Sequence, residues 1–138
     1  MDSESPIPGS AEDWLRYAKS DLELARIEKP EGVLLENLCF HAQQAAEKTL
    51  KAALIFLEID FPRTHNIRTL LDLLPEGVDV PQEVEESSIL TDYAVESRYP
   101  RNSEPVDDEE YRQVLGLAET VVSWGEKLIY EIDHEQRQ

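Results

Sequence analysis

FHAQQAAEKTLKAALIFLEIDFPRTHNIRTLLDLL, residues 40–74, holds the clearest helical pattern in the chain. Through its first half Ala42, Ala46, Thr49, Leu50, Ala53, Leu54 and Leu57 return every three to four residues, the helical period and not the alternation of a strand. Carried back through Leu35, Leu38 and Cys39, the pattern predicts one helix of about 25 residues, roughly 37 Å long. The small residues Ala42, Ala45, Ala46, Ala52 and Ala53 allow close approach of another helix, which suits a bundle centre or a dimer seam. Set into this apolar run is an ordered polar series, Gln43, Gln44, Glu47, Lys48 and Lys51, and the cationic turn Arg63-Thr64-His65 follows it.

Upstream, residues 11 to about 28 predict a first helix. Ser10 with Asp13 resembles a capping box, and Trp14, Ala18, Leu22 and Ala25 form an apolar stripe. Asp21 lies beside that stripe, either as an ordinary solvated or paired acid or facing a partner helix. Thr64 or Asn66 caps a short helix carrying Ile67, Leu70, Leu71, Leu73 and Leu74, and Pro75-Glu76-Gly77 ends it. Residues 82 to 97 give a weaker helical pattern through Val84, Ser88, Leu90, Tyr93 and Ala94. Pro100 disfavours helical geometry at Tyr99, so this helix is expected to end near Arg98. Asp107 with Glu110 opens a last helix to about residue 132, buried along Tyr111, Leu115, Ala118, Val122, Gly125 or Glu126, and Ile129. Gly116 and Gly125 each cost about 1 kcal/mol against alanine in a helix, so they are expected to mark close packing or a bend.

Every long segment prefers the helical period, and no internal repeat appears. The expectation is an all-α, up-and-down antiparallel helical bundle of about five helices. Its domain plan is a flexible tail over residues 1–10, one bundle over 11–132 and a frayed tail over 133–138. With 138 residues the chain has room for one ordinary core. No run approaches the roughly 20 apolar residues of a membrane helix, and the N-terminal residues do not read as a signal peptide, so a cytoplasmic protein is expected. The single Cys39 excludes an internal disulfide and reads as core.

A net charge of -17 opposes bulk DNA binding, since proteins that track phosphates carry a basic stripe. Its distribution says more. Residues 69 to 97 hold eight acidic side chains and neither lysine nor arginine, with Arg63, His65 and Arg68 on one side and Arg98 and Arg101 on the other. If folding joins these turns, a local anion site persists on an acidic protein. Thr64-His65-Asn66 at a helix start suits phosphate recognition, while Thr64 as a cap and His65 bonded to a carboxylate explain the same residues structurally. Arg98 and Arg101 either pair with an acid such as Glu47 or Asp21 or, with Tyr99 for stacking, hold a nucleotide. Lys48 and Lys51 either complete that site or solvate the helix face. His41, His65 and His134 are scattered, without the spacing of metal ligands, so no metal and no cofactor are expected.

Trp14 with Ala18 and Asp21-Leu22, the run from Phe40 to Lys51, Thr64-His65 and Arg98-Tyr99-Pro100 stand in an order that resembles a HEPN domain, over roughly residues 11 to 131. The resemblance implies a homodimer, often encoded with a small nucleotidyltransferase-like partner in toxin–antitoxin type pairs, that binds partners or nucleotides. Other members are ribonucleases in which an arginine and a histidine separated by four to six residues cleave RNA without metal. Here Ser103, Glu104 and Pro105 stand at the histidine positions counted from Arg98, and Val106, Asp107 and Asp108 at those counted from Arg101. Loss of that base removes on the order of 10² to 10⁴ in rate. The sequence therefore points to a non-catalytic module whose nucleotide or anion contacts are Lys48, Lys51, Thr64, His65, Arg98, Tyr99 and Arg101. The alternatives are a ribonuclease with His65 as displaced base and a purely structural dimerisation module.

Overall fold

The computed structural model describes residues 6–94 and 104–131. It is all-helical among them, with α1 Ala11–Arg26, α2 Leu35–Phe56, α3 Ile67–Asp72, α4 Gln82–Glu85 and α5 Asp108–Glu126. A 3₁₀ segment, Glu86–Tyr93, continues α4, and a π-helical turn, Lys127–Glu131, continues α5.

The expected central helix is α2, and its surroundings explain its sequence. From Ala42 to Leu54 only Gln44 and Lys48 escape full burial, because α1, α5, α3 and the 3₁₀ segment enclose it on all sides. A helix so enclosed can carry alanine where neighbours press closest and leucine where they leave room, and Leu50 and Leu54 fill the latter positions. Its C-terminus closes with the Ile59 amide donating to the Leu54 carbonyl and the Glu58 amide to that of Ile55. Glu58 takes the left-handed conformation, φ 62°, that this stop requires.

Helices α1 and α2 run antiparallel, as the pairing of Trp14 with Lys51 and of Asp21 with His41 and Lys48 shows. Helices α1 and α5 are also antiparallel, through Lys19 with Glu126 and Arg26 with Glu119. By contrast α2 and α5 run in the same direction: the Glu36 carboxylate accepts from the Val106 amide at one end, and Thr49 meets Gly125 near the other. The short elements between them carry the chain back, so the bundle's three long helices form its frame.

The caps follow the sequence with two adjustments. Ser10 Oγ accepts from the Asp13 amide, but the Asp13 carboxylate reaches back to the Gly9 amide, because the Ser10 amide already donates to the Ile7 carbonyl. Asn66, not Thr64, caps α3 by accepting from the Thr69 amide, while Thr64 Oγ1 accepts from the Asn66 amide in a local turn. Asp107 caps α5 as expected.

Three further expectations are corrected. Within the 82–97 pattern, Gln82–Glu85 form a single α-turn and Glu86–Tyr93 take 3₁₀ geometry, while the expected end near Arg98 lies outside the described residues. Ser87 Oγ donates to the Val84 carbonyl in competition with a regular helix bond, and Thr91 Oγ1 accepts from the free Ile67 amide at the start of α3. It is Ser87, not Ser88, that is buried. At the end of α5 the wider π-turn lets the consecutive Leu128 and Ile129 both enter the interior. Finally, the two glycines of α5 differ. A Cβ on Gly125 would stand 2.2 Å from Thr49 Cγ2, whereas one on Gly116 would meet nothing within 4 Å. Close packing therefore accounts for Gly125 alone. Gly116→Ala is expected to stabilise the protein by about 1 kcal/mol, the helix preference of alanine over glycine, read as a higher denaturant midpoint. An unchanged or lowered midpoint would contradict this.

Candidate functional site

Two carboxylates organise the polar residues of α2. Glu47 is only 2 % exposed, yet its oxygens are fully engaged. Lys51 Nζ lies 2.8 Å from Oε2, Gln43 Nε2 donates to Oε1 at 2.8 Å, and His65 Nδ1 stands 3.0 Å from both oxygens. Gln43, Glu47 and Lys51 are spaced four residues apart, so they stack along one side of the helix, and His65 arrives from the turn before α3. Burial acts to push the Glu47 carboxyl up, but the hydrogen bonds from Lys51, Gln43 and His65 and the Lys51 charge outweigh it and hold the group below its ordinary value.

The second centre is Asp21 on α1, which is buried against α2. His41 Nδ1 lies 3.0 Å from one oxygen and Lys48 Nζ 2.7 Å from the other. Of the two alternatives for Asp21, the structure shows it paired and turned to a neighbouring helix. Aromatic rings cover the lysines of both centres. Lys51 sits 5.7 Å from the Trp14 ring centroid and 5.8 Å from that of Phe61, and Lys48 is 6.0 Å from Tyr17. The solvated-face alternative for the lysines is thus corrected. Lys51 is buried and Lys48 partly so, because each neutralises an acid that the packing of α1 on α2 removes from water.

The expected contact residues are distributed as follows. Lys51 and His65 meet at Glu47, Lys48 belongs to the neighbouring Asp21 centre, and Thr64 shapes the turn that presents His65. Arg98, Tyr99 and Arg101 lie outside the described residues, as does His134. Arg68 is committed to Asp72 and Glu85, whereas Arg63 makes no ion pair among the described residues. The acids suggested as partners for the later arginines, Glu47 and Asp21, already hold lysine and histidine donors. Gln43 and Glu47 are the organising residues that the sequence quotes without ranking. Their signal is the four-residue spacing of Gln43, Glu47 and Lys51 within a helix rich in alanine and leucine.

A groove of about 310 Å³ lies beside the second centre, lined by Gly9, Asp13, Trp14, Tyr17 and Lys48. Among the described residues no group of three or more histidine, cysteine, aspartate or glutamate side chains is arranged to hold a metal ion. No helix of those residues is long and apolar enough to cross a membrane.

The helical bundle is shared with a known family of proteins. The HEPN domain family model matches residues 11–128, and the chain belongs to that family. It is similar to the crystal structure of TT1696 from Thermus thermophilus, with 33% sequence identity and a TM-score of 0.70 over 86% of this chain and 97% of that one. It is also similar to ST0689, an archaeal HEPN homologue, with 29% identity and a TM-score of 0.68 over 87% and 98% of the two chains. No curated protein matches the sequence.

Proposed function

We propose that this HEPN protein is a non-catalytic binding module, a homodimer that takes a nucleotide and docks a nucleotidyltransferase-like protein in a toxin–antitoxin type pair. The observation that carries the nucleotide reading is the Glu47–His65 contact. A buried carboxylate holds one edge of an imidazole whose side chain is 68% exposed, two residues after an arginine with no ion pair among the described residues. The contact fixes one edge of the ring and leaves the rest of the side chain open to solvent, where a ligand can reach it. The absent Arg-x4–6-His spacing supports binding over cleavage.

Isothermal titration of the full chain with ATP, GTP and short RNA tests the proposal. Binding is expected in the wild type and is expected to weaken about tenfold or more in Arg98→Ala, the loss of one charge-assisted contact to phosphate. Absence of binding at millimolar ligand would refute the nucleotide site, and binding indifferent to Arg98→Ala would remove that arginine from it.

One second reading draws on the same contact. A histidine fixed by a carboxylate is also equipped as a general base, so a ribonuclease using His65 with Arg98 predicts metal-independent RNA cleavage abolished in either alanine variant. Cleavage that survives both substitutions would eliminate that mechanism.

A further inference from the structure

The partners of Glu47 define more about His65 than its position. Lys51 already offsets the carboxylate charge and Gln43 fills a further acceptor position, so Nδ1 of the ring meets Glu47 as a hydrogen-bond partner. A neutral imidazole has one hydrogen. Facing two carboxylate oxygens at 3.0 Å, Nδ1 must carry it, which leaves Nε2 with a lone pair. The exposed side chain turns that acceptor edge towards solvent. An acceptor repels phosphate oxygens and takes a hydroxyl or amino hydrogen.

Resting on the nucleotide reading above, we propose that His65 is a specificity-determining residue that accepts a hydrogen bond from a neutral donor of the nucleotide, a ribose hydroxyl or a base amino group. Glu47 is its positioning residue, fixing the tautomer, and the phosphates fall to arginine. The neighbouring Arg63, without an ion pair among the described residues, is suited to that part.

Titration of the protein and its His65→Ala variant separates the two kinds of contact. The probes are ATP, GTP, their 2′-deoxy and 3′-deoxy analogues, inosine triphosphate and inorganic tripolyphosphate. The substitution removes an exposed side chain and is expected to leave the fold intact. It is expected to weaken ATP or GTP about five- to tenfold, one hydrogen bond's worth, and to leave tripolyphosphate within about twofold. The analogue that loses the same factor in the wild type, and nothing further in the variant, identifies the donor as hydroxyl or amino. Equal losses for nucleotide and tripolyphosphate would make His65 a phosphate contact and overturn the inference while the nucleotide site stands, as would nucleotide affinities that His65→Ala leaves unchanged. If neither nucleotide nor tripolyphosphate binds the wild type, the inference and the underlying reading fall together. Nitrogen-15 spectra of the free protein supply a readout without ligand: hydrogen on Nδ1 of the neutral His65 ring is expected, and hydrogen on Nε2 would refute the assignment.

Discussion

Glu47→Gln is expected to cost about 3–5 kcal/mol of folding stability, a large share of the roughly 5–15 kcal/mol that holds a domain of this size together. The substitution keeps the shape of the side chain and removes only its charge. Lys51 is then left as a buried cation between Trp14 and Phe61 with no counterion, and His65 faces an amide that no longer dictates which ring nitrogen is protonated. Urea denaturation followed by circular dichroism measures the loss. The double variant Glu47→Gln, Lys51→Met is expected to recover most of it, since an apolar side chain of similar length suits the aromatic surroundings better than an unpaired ammonium. A single variant within about 0.5 kcal/mol of wild type, the scatter of ordinary surface changes, would show that this cluster is not electrostatically coupled.

The same centre sets an acid limit. Because the folded protein holds the Glu47 carboxyl below its ordinary value of 4.5, the folded state binds that proton less readily than the unfolded chain does. The resulting stabilisation is fully present above 4.5 and is lost as pH falls through the lower, folded-state value. Stability of the wild type is therefore expected to decline on acidification below 4.5, and Glu47→Gln is expected to show a shallower decline in that range. Parallel pH profiles would assign the acid sensitivity to other carboxylates.

Gly125→Ala is expected to destabilise by about 1–3 kcal/mol, although alanine favours a helix by about 1 kcal/mol, because the cost of overpacking exceeds that preference. The new methyl would stand 2.2 Å from Thr49 Cγ2, at the contact where α5 lies against the buried face of α2. Rescue by Thr49→Ser makes the cause testable. Serine removes the obstructing methyl and keeps the hydroxyl that donates to the Ala45 carbonyl at 2.8 Å. The double variant is expected to be more stable than the sum of the two single effects predicts, the sign of a direct steric coupling. Additive effects, or a Gly125→Ala protein as stable as Gly116→Ala, would mean that the two helices can separate at this point without cost.

The helices were legible because burial on one face imposes a period that hydrophobic residues report directly. The caps at Ser10 and Asp107 were legible for a similarly local reason, since free amides at a helix start attract short polar side chains. The boundaries of α2 differ by a few residues from the expected length, as the end is fixed by Glu58 in a left-handed conformation that a glutamate does not advertise. The roles of Lys48 and Lys51 were not legible. A lysine on a helix exposed along one side is solvated, and only the enclosure of α2 by its neighbours turns the same residue into the counterion of a buried acid.

Sequence alone therefore determined the elements, the all-helical class, the family resemblance and the missing ribonuclease spacing, all of which depend on residue types a few positions apart. Tertiary structure decided which of the polar residues meet. Asp21 and His41 lie 20 positions apart and Glu47 and His65 lie 18 apart, and nothing local says which of them pair. Their pairing is chosen by the desolvation that packing α1 and the α3 turn against α2 enforces: a carboxylate taken out of water must find donors, and those within reach become its partners.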